Sequence, residues 1–207
     1  FGRSVAVAGD TIFVGAYGDD DDGTNSGSVY VFRTTDGGAT YDEVETLKAS
    51  SPKAGANFGN ALAADGDTLV IGAYSDNSYK GAVYVFRKSG STYAQVARLT
   101  GSGVASDDEF GTSVDVSGDT IVVGTEYTDA AFVYRTSDGG ATWAAVTTLE
   151  GSDDFGQSVA IDGDTIVIGA SGGDATYVYR TSDGGATYAE VAKLTAPESL
   201  SPENYGD

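Results

Sequence analysis

The 207-residue chain contains no cysteine and no histidine. Without cysteine there are no disulfides and no thiolate metal sites, and the redox compartment stays undecided. Without histidine the usual zinc ligand and the usual general base are missing. Basic residues are scarce: 11 against 31 acidic ones, giving a net charge of −20 and an isoelectric point near 4.1. A surface of that sign repels a phosphate backbone or an anionic membrane, because binding either needs a basic footprint. It favours cations and basic partners instead. No stretch approaches the ~18 consecutive apolar residues that a membrane-crossing helix requires. Neither nucleic-acid binding nor helical membrane insertion is therefore expected, and no Asn-x-Ser/Thr site marks N-glycosylation.

What is abundant is repetition. Four stretches share one pattern: FGRSVAVAGDTIFVG from Phe1, FGNALAADGDTLVIG from Phe58, FGTSVDVSGDTIVVG from Phe110 and FGQSVAIDGDTIVIG from Phe155. Their starts lie 57, 52 and 45 residues apart, a period typical of propellers, solenoids or arrays. Each unit reads as four short strands. The first ends in a Gly-Asp turn such as Gly118-Asp119, where glycine supplies positive φ in a tight hairpin. The second and third strands are continuous apolar runs, for example Ile121-Val122-Val123 and Phe132-Val133-Tyr134, and need cover on both faces. The fourth, for example Trp143–Leu149, is more polar. That gradient predicts an all-β propeller of four-stranded antiparallel blades, with the middle strands sandwiched and the last facing solvent. The expected blades cover residues 1–57, 58–109, 110–154 and 155–195 of one domain, with 196–207 a tail or the start of a further blade at Tyr205-Gly206. Phe1, Phe58, Phe110 and Phe155 are expected to pack between blades.

The Phe-Gly start, the Gly-Asp-Thr turn and the Val-Tyr-Val-Phe strand together resemble the FG-GAP repeat. This is the blade unit of the integrin α-subunit head and of many secreted microbial and algal proteins. FG-GAP domains usually carry seven blades, so the resemblance implies that this chain is part of a larger propeller. It also implies a secreted or cell-surface location. A second resemblance lies between strands three and four. Thr136–Trp143, Thr34–Tyr41 and Thr181–Tyr188 are similar to the Asp-box of sialidase-type propellers, whereas Lys88–Tyr93 has no aspartate. In that family the box staples a hairpin on the outer part of a blade. Asp36, Asp138 and Asp183 are accordingly expected to be structural, accepting turn amides while the following aromatic packs inward.

The remaining loops divide by face. The Gly-Asp turns and the Asp-boxes share one face and vary little. Connections between strands two and three, and between blades, share the other; they vary in length and carry acid. Variable loops on a regular scaffold concentrate function, which makes this the candidate surface for a protein or glycan partner. Within it, Asp19, Asp20, Asp21, Asp22 and Asn25 are candidate calcium ligands, since hard cations take six to eight oxygens. Asp20-x-Asp22-Gly23 fits part of a familiar calcium loop. Gly18 stands where a first carboxylate is needed and Val29 where a bidentate glutamate is needed. The integrin-type site would lie between strands one and two, where this chain has only a short turn.

Three function classes follow. The leading expectation is a non-enzymatic adhesion or assembly module, with calcium as a candidate support. The first alternative is a structural subunit whose blade edges join further blades or copies. The second is a carbohydrate-active propeller, motivated by the Asp-boxes. Hairpin aspartates on separate blades cannot form the carboxylate pair that glycoside hydrolysis needs.

Overall fold

The computed structural model describes residues 1–195; the expectation for 196–207 lies outside the described residues. Sixteen strands form four antiparallel four-stranded sheets, each in simple sequential order. Blade 1 comprises Val5–Ala8, Thr11–Ala16, Ser28–Arg33 and Asp42–Leu47. Blade 2 comprises Leu62–Asp65, Thr68–Ala73, Ala82–Ser89 and Thr92–Leu99. Blade 3 comprises Val114–Ser117, Thr120–Gly124, Ala130–Arg135 and Ala144–Glu150, and blade 4 comprises Phe155–Asp162, Thr165–Ala170, Ala175–Arg180 and Ala189–Thr195. Among the described residues, helix is confined to single turns at Asp76–Tyr79 and Ser171–Gly173.

Burial follows the apolar runs. Every residue of Thr68–Ala73 and of Thr120–Gly124 is buried, whereas Asp42–Leu47 buries only its last residue. The first strands of successive blades touch one another, so they line the axis and the fourth strands form the rim. Three apolar clusters fill the spaces between blades 1 and 2, 2 and 3, and 3 and 4. The turns between the first two strands are two-residue hairpins with Gly9, Gly66, Gly118 and Gly163 at φ of +56°, +54°, +53° and +53°. Only glycine adopts that conformation without cost.

Adjacent blades meet through the Phe-Gly pair. The carbonyl of Gly59 lies against Gly15 of blade 1, that of Gly111 against Gly72, and that of Gly156 against Gly124; a Cβ at Gly15, Gly72 or Gly124 would collide with it. Each of these carbonyls also accepts a side-chain bond from the preceding blade. Ser4 Oγ donates to Gly59 at 2.7 Å, Asn60 Nδ2 to Gly111 at 3.3 Å and Ser113 Oγ to Gly156 at 2.9 Å. Asn60 takes over in blade 2 because Ala61 has no hydroxyl. The phenylalanine ring then packs edge-on against two aromatic residues of its own third strand. Phe58 meets Tyr84 at 5.3 Å and Phe86 at 6.1 Å; Phe110 meets Phe132 at 5.3 Å and Tyr134 at 6.2 Å. Phe155 does the same with Tyr177 and Tyr179.

Phe1 differs from the other three among the described residues. It makes the same edge-on contacts with Tyr30 and Phe32, yet it is 77% exposed, while Phe58, Phe110 and Phe155 are 1%, 0% and 0% exposed. Among the described residues no blade lies against its outer side. Val5 and Val7 are each 66% exposed, where Val114 and Val116 at the same repeat positions are 9% and 6%. On the far face of blade 4, Leu194 is 54% exposed, and a hollow of about 450 Å³ is lined by Ser158, Gly169 and Leu194. It occupies the place where blades 1 to 3 each seat a Phe-Gly pair. Among the described residues the ring is therefore open between blade 4 and blade 1.

The hairpins between strands three and four lie on the face of the Gly-Asp turns. Asp138 Oδ1 accepts the Thr142 amide at 2.9 Å and the Thr136 hydroxyl at 2.7 Å, and Oδ2 accepts the Thr142 hydroxyl at 2.6 Å. Asp36 and Asp183 repeat the arrangement. These bonds hold all three carboxyls well below the usual range, led by the Thr40 amide for Asp36 and by the Thr142 and Thr187 hydroxyls for Asp138 and Asp183. Blade 2, without the aspartate, turns at Gly90-Ser91 between longer strands instead. Arg33 donates to the Ser91 carbonyl at 3.1 Å and Arg135 to that of Gly184, each tying its blade to the next blade's hairpin.

The packing roles predict an ordered series. Phe110→Ala should destabilise the fold by about 3–5 kcal/mol in denaturant titration, because it empties a fully buried site. Phe1→Ala should change the midpoint far less. Equal losses would show that the Phe-Gly junction does not hold the blades together.

Candidate functional site

On the face of the variable loops, a cleft of about 430 Å³ opens near the axis across blades 1, 2 and 3. The repeat builds most of its wall. The residue after each Phe-Gly contributes Arg3, Asn60 and Thr112. Residues just beyond the second strands contribute Tyr17, Tyr74, Glu126 and Tyr127. Tyr79 and Glu109 come from loops of blade 2. The strand-two glycines put these positions close to the axis, while the blade cores fix their backbones. Tyr74 and Tyr79 stand 6.3 Å apart between ring centroids, and Asn60 Oδ1 accepts the Tyr74 amide at 3.2 Å. Four of its lining residues are tyrosines and the other five are polar or charged, so the cleft offers aromatic rings together with polar groups.

Its charge is acidic. Burial, followed by the charges of Glu126 and Asp107, pushes the Glu109 carboxyl above its ordinary value. Glu109 and Glu126 likewise raise the Tyr127 phenol. Glu126 Oε1 accepts Gln157 Nε2 of blade 4 at 2.8 Å.

Tyr79 is delivered by a strained turn. Asn77, Ser78 and Tyr79 adopt φ of +55°, +60° and +60°, three successive left-handed residues without a glycine. Each costs roughly 1–2 kcal/mol, so the surroundings must hold the turn in place. Asp76 does this. Its buried carboxylate meets Lys53 Nζ at 2.7 Å, Arg98 at 2.7 Å and the Tyr84 hydroxyl at 2.8 Å. Burial alone would raise its pKa; the bonds from Lys53, Arg98 and Tyr84 outweigh that and keep it lowered. Burial likewise pushes the Tyr84 phenol up to about 12. The far end of the turn reaches the next junction, since the Tyr79 carbonyl accepts the Glu109 amide at 2.8 Å and the Lys80 carbonyl accepts that of Phe110 at 3.1 Å. One buried carboxylate thus positions Tyr79 and supports the backbone that carries Glu109.

The acidic loop at Asp19–Asp22 has a different organisation. Asp19 accepts the Asp21 amide at 3.0 Å, the Ser28 hydroxyl at 2.8 Å and the Tyr30 hydroxyl at 3.1 Å, and these lower its pKa, the Asp21 amide foremost. Asp20 accepts the Asn25 amide at 2.7 Å. Lys48 bridges Asp21 and Asp22 at 3.3 and 2.8 Å. Asn25 itself sits at φ +51° and its carbonyl accepts the Asn57 amide from the link to blade 2. In this arrangement the five candidates are bonded largely among themselves and to Lys48, and no group of three or more acidic residues placed to hold a metal ion occurs among the described residues. Lys48 contributes one positive charge against the four carboxylates.

Tyr17, Tyr74, Tyr79 and Tyr127 escape sequence reasoning because a tyrosine beside a strand reads as core. The signal lies in the repeat register: Tyr17 and Tyr74 stand two residues after Gly15 and Gly72, where the third unit has Glu126 followed by Tyr127.

The loop geometry predicts that millimolar calcium and sodium chloride of matched ionic strength raise the melting temperature alike. A calcium-specific increment that disappears on replacing Asp20 and Asp22 by asparagine would show that the loop rearranges to bind the ion.

The FG-GAP repeat family matches residues 1–32, 41–86, 93–143 and 149–189, the last three each running from the fourth strand of one blade through the first three strands of the next. No curated protein matches the sequence. Among solved structures, a protein from Lactobacillus plantarum is 16% identical with a TM-score of 0.66, covering 95% of this chain and 56% of that one. A Bacteroides uniformis protein provisionally described as a 6-phosphogluconolactonase is 12% identical with a TM-score of 0.67, covering 96% of this chain and 58% of that one. A Bacteroides fragilis protein with the same description is 14% identical with a TM-score of 0.68, covering 95% and 57%. This chain thus spans little more than half the length of each, and at such identities the likeness shows the fold alone. The four matched segments take in most of the sequence, and the chain belongs to the FG-GAP repeat family.

Proposed function

We propose that this chain is a non-catalytic binding module of the adhesion or assembly kind, secreted or at the cell surface, that takes its partner on the variable-loop face. The observation that carries this reading is the tyrosine-lined cleft, to which three blades contribute side chains at equivalent repeat positions. A surface shared by three blades is rigid, so its partner meets preset groups and loses less entropy in forming the complex. The exposed faces of blades 1 and 4 offer further blades or copies the same Phe-Gly seat that joins the blades internally. The acidic surface disfavours nucleic acid and favours basic or neutral partners.

The test is a glycan and protein binding array probed with the unmodified chain, a Tyr17→Ala/Tyr127→Ala variant and a Tyr41→Ala control on the rim. Retained folding with binding lost only in the cleft variant supports the reading. Binding lost only in the control places the interface elsewhere. Turnover of an aryl glycoside or a sugar lactone that Glu109→Gln abolishes would overturn the non-catalytic assignment.

A further inference from the structure

The chemistry of the cleft narrows its ligand. Its wall presents four tyrosine rings, Tyr17, Tyr74, Tyr79 and Tyr127, together with the carboxylates of Glu109 and Glu126. Tyr17, Tyr79 and Tyr127 are exposed while Tyr74 is half-buried, so the rings line the cleft and are not part of a blade core. Glu126 is engaged by Gln157. The half-buried Glu109 carboxylate accepts no hydrogen bond and joins no ion pair among the described residues; it has only burial and the like charges of Glu126 and Asp107 around it. A partly desolvated carboxylate facing a second negative charge is costly unless a cation joins it. The Asp76 clamp holds the turn that carries Tyr79 and supports the Glu109 backbone, and Asn60 bonds the Tyr74 amide.

Building on the binding reading above, we infer that the cleft accepts an alkylammonium group, a free quaternary amine or a lysine side chain, against the tyrosine faces with Glu109 as its counter-ion. An ammonium is attracted to a tyrosine ring face, more strongly where water is excluded. A metal ion would not use the rings, and a neutral sugar would leave Glu109 unpaired. A phosphate or carboxylate would meet two like charges. Arg3, at the blade 1 edge of the same cleft, opposes the cation and sets an upper limit on its affinity.

The experiment titrates the full 207-residue chain by two-dimensional NMR with choline, with its neutral isostere 3,3-dimethylbutan-1-ol and with Nα-acetyl-lysine amide, at constant ionic strength. Choline should shift the Tyr79, Glu109 and Tyr127 amides and bind roughly tenfold more tightly than the isostere, as cation–π attraction plus one counter-ion requires. The lysine probe separates the two sources: tighter binding than choline points to a protein partner, weaker binding to a free quaternary amine. Glu109→Gln and Tyr127→Ala should each weaken choline by roughly tenfold at unchanged melting temperature, Tyr127→Phe should not, and Arg3→Gln should tighten it. Equal affinity for choline and the isostere, with the same amides shifted, would overturn the cationic ligand and leave the cleft as a binding site. No shift in the cleft with any probe, together with array binding indifferent to the cleft variants, would overturn both.

Discussion

The structure depends on one close approach: a glycine carbonyl of one blade seated against a side-chain-free glycine on the second strand of the blade before it. That contact allows the first strands to crowd around an axis, and it brings the neighbouring phenylalanine under the third strand of its own blade. Glycine is required at Gly15, Gly72 and Gly124 because a Cβ would displace the carbonyl. The hydroxyl or amide from Ser4, Asn60 or Ser113 then satisfies that carbonyl in a site that water cannot readily reach. Packing and hydrogen bonding therefore act at the same point, and it recurs at each of the three junctions. A unit whose apolar faces are covered only by its neighbours has little stability alone, so junction strength sets the cooperativity of the whole.

The same junction explains why the two faces of the molecule differ. On one face, Gly-Asp turns and aspartate-capped hairpins satisfy themselves locally and are cross-tied by Arg33 and Arg135. On the other, each loop between strands two and three must meet the link into the next blade, as Asn25 meets Asn57 and Tyr79 meets Glu109. These meetings use left-handed backbone at Asn25, Asn57, Tyr79 and Glu109. Asparagine tolerates that conformation; tyrosine and glutamate do so at greater cost. The costlier residues stand at the cleft, held there by the buried Asp76 cluster. Strain concentrated beside a cavity and held in place by an ion cluster favours a binding role for that cavity.

Much of this was legible in the sequence. The four Phe-Gly starts, the Gly-Asp turns and the doubly apolar middle strands defined the blades, and Asp36, Asp138 and Asp183 occupy the hairpins that their Thr-x-Asp-Gly-Gly context suggested. Phe1 keeps the ring contacts of the other copies but is exposed among the described residues, since burial depends on a neighbouring blade as well as on the repeat pattern. The Asp19–Asp22 loop drew attention through its charge density, yet Lys48, far away in sequence, contacts two of its four carboxylates. The cleft was not legible because it is a property of three blades together. Tyr17, Tyr74 and Tyr127 are separated by about a repeat length, and only the closed packing of successive blades brings them to one place.

If the Phe-Gly seat holds the blades as one unit, they should open together. Native-state hydrogen exchange of the Phe58 and Phe110 amides, which bond to the carbonyls of Ser26 and Lys80 across the junctions, measures this directly. The account predicts that these amides exchange with the same opening free energy and denaturant dependence as the buried second-strand amides of Val70 and Val122. Exchange of the junction amides through a separate, lower-energy opening, while the strands on either side stay protected, would show that the blades are stable individually and that the seat is not the interaction on which the fold depends.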